Sequence, residues 1–230
     1  ARLNGGADIN VRQGKINFFA NVGINQRKSI GWGETFRNNL IPTNDQSTLE
    51  LINDNTSLGG FLFSRAGFDF FIDNRNTITI AGNGAGGNFK LEDINDIRFN
   101  NFNTSFLDST EKRISDGENK FRSIGGQVSY KRLFTKPGKE LTADINYSRG
   151  RSENDQDINI NTAKFSGSGS PVTRQFLQGV DAGGENSFLV VQTDFVNPIS
   201  EDIKIEAGLR SQTRWFESFQ KNSINGISLP

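Results

Sequence analysis

Residues Ile16, Phe18, Ala20, Val22 and Ile24 occupy every second position of one stretch, with Asn17, Phe19, Asn21, Gly23 and Asn25 interleaved. The pattern recurs at Leu141, Ala143, Ile145 and Tyr147, set against Thr142, Asp144 and Asn146. It is cleanest at Ile203, Ile205, Ala207 and Leu209, set against Lys204, Glu206 and Gly208. Successive side chains of a β-strand point to opposite faces, so this period specifies strands with one apolar face and disagrees with a helical period.

The runs group into eight predicted strands: 4–13, 16–28, 60–72, 77–90, 120–134, 140–151, 187–197 and 203–217. Within each pair the connection has turn chemistry. Gly14, Asn74, Pro137 with Gly138, and Pro198 supply positive φ, local hydrogen bonds or a preset φ at the four turns. Between pairs the expectation is of three long loops, over 29–59, 91–119 and 152–186. Loops of that length are uncommon in compact soluble domains. Short turns alternating with long loops are what an outer-membrane barrel shows, with periplasmic turns at one end and extracellular loops at the other. The hairpin unit repeats, and aromatic residues before the turn at Phe68–Phe71 have a counterpart near Phe195.

Mean hydropathy is −0.54, and no stretch approaches the roughly 18–20 apolar residues of a spanning helix. A barrel strand offers only alternate residues to lipid, so low mean hydropathy is compatible with a membrane. Lysine plus arginine equals aspartate plus glutamate at 26 each, which argues against a basic nucleic-acid-binding face. Cysteine and histidine are both absent, removing disulfides, thiolate metal sites and the commonest general base. The chain opens at Ala1 with no initiator methionine or signal peptide, so the expectation is of a processed product or an excised piece.

A soluble β-sandwich also has alternating strands. Three features favour the membrane. The strands exceed the usual five or six residues, long and short connections alternate, and aromatic residues gather near strand ends. Phe18, Phe19, Phe68, Phe70, Phe71, Phe134, Phe195, Trp215 and Phe216 are expected in interfacial girdles. Lys204, Arg210 and Arg214 share the polar face of the last strand. Each basic side chain turned to the lipid midplane would cost about 2–4 kcal/mol, so the apolar face is expected to meet lipid and the polar face a wet lumen.

Several segments invite a site. Gly82–Asn88 is glycine-rich like a phosphate loop, but no Lys-Ser/Thr pair follows it, and glycines inside a strand mark bends or close approach. Glu153, Asp155 and Asp157 alternate as calcium ligands could, without the central glycine or terminal bidentate glutamate of a calcium loop. Trp32 could stack on a ligand or simply anchor a loop. Arg65, Arg75 and Arg98 do not cluster, and Asp108, Glu111 and Asp116 lack the constrained spacing of an acid–base couple. No serine sits in a nucleophile motif. The expectation is therefore of no enzyme, no cofactor and no metal, with ligand-binding residues unassigned.

The stretch from Val128 to Arg149 (VSYKRLFTKPGKELTADINYSR) resembles a hairpin of the outer-membrane β-barrel family found in Bacteroidetes TonB-dependent receptors. So do Gly67–Thr77 (GFDFFIDNRNT) and Ile205–Arg210 (IEAGLR). The resemblance implies a 22-stranded barrel with an N-terminal plug, importing scarce nutrients with energy delivered by TonB. No plug, no TonB box and too few strands are present here. The expected fold is thus all-β, an antiparallel up-and-down transmembrane β-barrel, with residues 1–230 as an eight-strand section of four hairpins. Implied partners are outer-membrane lipid, the rest of the barrel with its plug, and the TonB system, in a bacterial outer membrane. The other readings are a structural or adhesive outer-membrane protein that transports nothing, and a soluble secreted β-sandwich.

Overall fold

The computed structural model describes residues 1–39, 47–101, 107–166, 169–200 and 202–229, and among these the fold is all-β, with no helix. Eight strands follow one another as an antiparallel meander: β1 (Arg2–Gln13), β2 (Ile16–Asn39), β3 (Ser47–Phe71), β4 (Asn76–Asn101), β5 (Leu107–Leu133), β6 (Glu140–Lys164), β7 (Val172–Pro198) and β8 (Lys204–Ile224). A short ninth strand, β9 (Ile227–Leu229), returns along the end of β8. Its turn, Asn225-Gly226, has φ of 50° and 78°, the two positive values a type I′ hairpin needs. Strand order equals chain order, and β1 does not pair with β8 or β9, so the sheet is open.

The short connections fall at 14–15, 72–75, 134–139 and 199–203. Gly14 and Gly138 take positive φ there, at 57° and 76°. Neighbouring turns are tied together: Lys15 Nζ donates to the Ile72 carbonyl at 2.7 Å, and Lys136 Nζ to that of Ile199 at 3.2 Å.

The far end differs from expectation. Residues 29–59, 91–119 and 152–186, expected as long loops, are for the most part strand, paired in register with one irregularity, between Phe99 and Asn100 where β4 meets β5. The strands reach 24–27 residues in β2 to β7. At about 3.3 Å per residue such a strand is roughly 80 Å long, several times the ~25 Å apolar band of a membrane barrel. Backbone pairing with both neighbours holds these extensions straight, and it demands no apolar periodicity in the side chains.

In register, β1 to β8 share two faces, named here by Ile16 and Asn17. From the short turns upward the Ile16 face is apolar or small: Phe70, Phe68 and Ala66 in β3, Ile78 and Ile80 in β4, Leu141, Ala143, Ile145 and Tyr147 in β6. Four or five such residues per strand span nearly the 9–11 residues that a tilted strand needs to cross a bilayer. The register row through Ile24, Leu62 and Gly86 continues to Arg122, Arg151, Glu185 and Glu217. The apolar band therefore cuts the rows obliquely, as it must when strands are tilted to the membrane.

This single layer has almost no core. Among the described residues Ala81, 7% exposed, is the buried apolar side chain, whereas Phe68, Ile80 and Leu209 are 52%, 57% and 77% exposed. A sandwich would bury such side chains against a second sheet; among the described residues no second layer covers them.

Candidate functional site

The Asn17 face carries the polar groups at the level of the apolar band. Asp69 accepts from Asn17 Nδ2 at 3.0 Å and from Thr79 Oγ1 at 2.7 Å, linking β2, β3 and β4. Arg65 on β3 reaches across β4 to donate to Gln127 Oε1 at 3.1 Å. Gln127 donates on to Ser129 at 2.8 Å, and Ser129 to Asp144 on β6 at 2.5 Å. These bonds link β2 to β6 laterally on this face as a polar ladder. On one side of a sheet whose reverse is apolar, such groups belong against water.

Above the ladder the same face turns aromatic. Phe63, Phe89 and Phe121 lie over Gly23, Gly59 and Gly87, their direct partners on the preceding strands. Phe89 and Phe121 stack with centroids 6.4 Å apart and 13° between planes. Higher still, Asn53 Nδ2 donates to Asp93 and Asn95, both at 2.9 Å, and Leu51, Ile97, Ile158 and Ile160 follow on this face. The Ile16 face does the reverse. Past the apolar band it carries Lys90, Arg122, Lys120, Arg149 and Arg151, and then Glu92, Glu118, Asp116, Asp155 and Asp157. Past the apolar band the Ile16 face of β4, β5 and β6 is thus charged, while apolar side chains such as Phe89, Leu91, Ile97, Ile158 and Ile160 stand on the Asn17 face of β4 and β6.

Ion pairs lace the upper Ile16 face. Arg149 meets Glu185 at 2.5 Å, Arg151 meets Glu153 at 2.9 Å, and Lys120 meets Glu118 at 2.8 Å. The Lys120 ammonium, with the Asn88 amide second, holds the Glu118 carboxyl below the usual glutamate value. These pairs are solvated, so each contributes little to stability.

The segments singled out in the sequence separate. Gly82–Asn88 lies inside β4, with Gly82, Gly84 and Gly86 on the apolar band, so it is strand and not a phosphate loop. Glu153, Asp155 and Asp157 stand in a row on β6, facing other acids such as Asp116 and Asp181; among the described residues no such cluster has the geometry to hold a metal ion. Trp32 is strand, 77% exposed on the Ile16 face of β2. Glu111 and Asp116 fall on opposite faces of β5, and Glu111 pairs with Arg113 at 3.7 Å, so no acid–base couple forms; Asp108 lies at the end of the same strand. Arg65 joins the polar ladder, Arg75 sits in a turn, and Arg98 meets Glu50 at 3.9 Å near the strand tips. The expected aromatic girdle also divides: Phe18, Phe68, Phe70, Phe195 and Trp215 share the Ile16 face, whereas Phe19, Phe71 and Phe216 point the other way. Phe134 stands in a turn, edge-on to Phe195. Adjacent aromatic residues cannot share a face in a strand, which the sequence pattern already required. The aromatic tier over glycine was missed; Gly and Phe alternating with polar residues in neighbouring strands is the signal that could have found it.

Residues 132–226 match the model of the outer membrane protein beta-barrel family, which places the chain in the outer membrane. No curated protein matches. Among solved structures the chain is similar to BauA, the ferric preacinetobactin receptor from Acinetobacter baumannii, at 8% identity and a TM-score of 0.22. That comparison covers 97% of this chain and 42% of the receptor, so the chain spans less than half its length. The toluene transporter TodX of Pseudomonas putida is 9% identical over 94% of this chain and 81% of its own, with a TM-score of 0.17.

Proposed function

We propose that residues 1–230 form part of the wall of an outer-membrane receptor that imports its ligand with energy from TonB. The Ile16 face lies against lipid at the level of the apolar band, and the Asn17 face lines a wet lumen. The strand extensions carry that lumen beyond the membrane, where their Asn17 face takes part in ligand capture. The remaining strands of the barrel and a plug domain complete the structure, and TonB acts on the plug, as the family resemblance implies.

The observation that carries the reading is the pairing of a polar ladder with an apolar band on opposite faces of the same strands. Turning Arg65, Arg210 and Arg214 to the lipid midplane would cost about 2–4 kcal/mol each, whereas a hydrated lumen satisfies them at no such cost. Bacterial importers need such a lumen; an adhesin does not.

The segment contains no cysteine, which makes a clean test possible. In the full-length protein in cells, Ser129→Cys and Asn146→Cys should react with a membrane-impermeant maleimide. Ile80→Cys and Val128→Cys should react with a lipid-soluble one instead. Ligand uptake should disappear when the inner-membrane energy supply to TonB is cut, while surface binding of the ligand persists. Labelling that ignores the two faces refutes the wall assignment. The predicted labelling with no energy-dependent uptake leaves a structural or adhesive outer-membrane protein.

A further inference from the structure

At the end away from the short turns the sheet steps down between β7 and β8. β8 stops at Ile224, opposite Gln178, and the Asn225-Gly226 turn sends the chain back as β9. β7 rises on to Val172 beside β6, where Lys164 is its last partner. The reversal is fixed locally, because Asn225 and Gly226 hold positive φ of 50° and 78°. Asn225 also closes the ladder beneath the step. Its N–H donates to the Leu177 carbonyl at 2.7 Å, and its Oδ1 accepts from the Leu177 N–H at 2.9 Å. Leu177 therefore directs both backbone groups toward β8, and by alternation Gln175 and Thr173 direct theirs the same way, above the step. Among the described residues no strand stands there to receive them. The side chains beside this edge are exposed and of two kinds. On the Asn17 face Phe176, 41% exposed, pairs with Ile160, and the exposed Arg174 pairs with Thr162. Arg174 has no ion pair among the described residues; the acid in its register row, Glu111, is taken by Arg113.

We propose that the β7 edge from Val172 to Phe176 takes up an extended segment of an extracellular polypeptide as an added antiparallel strand. Main-chain bonds to Thr173 and Gln175 supply the affinity and alternate side chains the selectivity, which is how exposed sheet edges recognise peptides. Running antiparallel, the segment sets one residue beside Phe176, the next beside Gln175 and the third beside Arg174. An apolar side chain suits the first place and an acidic one the third, where it meets the unpaired guanidinium. The signature of the segment is therefore apolar-x-acidic. A second copy in the same membrane would present its own β7 in parallel, the weaker pairing. The proposal rests on the short turns lying at the periplasmic end, as the wall reading requires, and is independent of transport.

The test uses the full-length protein in mild detergent and a fluorescent peptide in which valine and threonine alternate around a central phenylalanine-threonine-glutamate, read by anisotropy. Replacing the peptide's glutamate by lysine should weaken binding about tenfold or more, the size of one lost charge-assisted hydrogen bond. Replacing the central threonine by proline, which removes an N–H from the added ladder, should weaken it to a similar extent. Arg174→Glu should reverse the preference in favour of the lysine peptide, an outcome that a purely structural role of Arg174 does not give. Gln175→Pro removes an N–H from the edge at a place where an edge strand tolerates proline, and should weaken binding of the glutamate peptide. Arg98→Gln, near the tip of β4, should leave binding unchanged. Peptides that bind alike whatever their charge or proline content, or a Gln175→Pro variant that binds as the parent does, overturn the proposal. In intact cells Thr173→Cys separates the two ways of failing. Labelling by a bulky impermeant maleimide upholds the outward orientation, and labelling only after the outer membrane is opened removes the orientation and the site together.

Discussion

Gly67 and Gly87 sit where a methyl group has no place to go. A Cβ on Gly67 would stand 2.5 Å from the Ile80 carbonyl oxygen and 2.7 Å from the Phe19 ring. On Gly87 it would stand 2.7 Å from both the Gly60 carbonyl oxygen and the Phe121 ring. The ring could rotate away, but the carbonyls are fixed by the sheet ladder. Gly67→Ala and Gly87→Ala should therefore each destabilise the folded barrel by about 1–3 kcal/mol, the usual cost of overpacking. Gly33→Ala meets nothing within 4 Å and should stay within about 0.5 kcal/mol of the parent. Urea midpoints of the full-length protein in lipid vesicles measure the difference; equal midpoints for all three variants would show that the rings do not rest on the glycines. At this scale the sequence was informative about which residues face together but not about which glycines are covered. The covering ring comes from another strand, tens of residues away, as with Phe63 and Gly23.

The elements divide into a half that was readable and a half that was not. In the lower half of β6 the run Leu141, Ala143, Ile145, Tyr147 announces a strand, because one face must avoid water while its reverse stays wet. From Ser148 to Asp157 both faces of β6 are polar, so the period vanishes although the strand goes on. When apolar residues resume at Ile158 and Ile160 they are on the opposite face. A reading that expects one continuous phase breaks there and reports a loop. The turns were readable because their chemistry is local. Asp73 Oδ1 accepts from the backbone N–H of Arg75 at 2.7 Å and of Asn76 at 2.9 Å. The Arg75 N–H first, and then the Asn76 side chain, hold the Asp73 carboxyl below the ordinary value of 3.8. A depressed folded value means that the carboxylate stabilises the turn fully above 3.8 and loses that contribution as pH falls through the lower folded value. Hydrogen exchange over residues 72–77, corrected for intrinsic rates, should show constant protection from about pH 7 to pH 5 and opening only below about pH 4. Asp73→Ala should remove the pH dependence and leave the turn open throughout. Opening that starts near neutrality would assign the turn's stability to another group.

For the whole molecule the decisive fact is the pair of open edges. Among the described residues β1 pairs only with β2, and β8 only with β7 apart from the three-residue β9. Alternate residues along each outer edge present N–H and C=O groups to whatever lies beside them. Where the apolar band crosses β1 and β8, that neighbour is hydrocarbon, and each unsatisfied group costs several kcal/mol there. With about ten residues of each edge strand in the bilayer, the sum exceeds the roughly 5–15 kcal/mol by which folded domains are stable. Wrapping eight strands into a narrow barrel would satisfy the edges only if the sheet curled until β1 met β8, and in this sheet the two do not meet. Additional strands of a wider barrel satisfy the edges from either side. Residues 1–230 expressed alone and refolded in detergent should therefore yield no compact species that shifts mobility on heating, and should associate through their edges. The full-length protein should give a discrete heat-modifiable band under the same conditions. A monodisperse, heat-modifiable monomer from the 230 residues alone would mean that β1 and β8 can close on each other, and the wall-section reading would then give way to a small self-contained barrel.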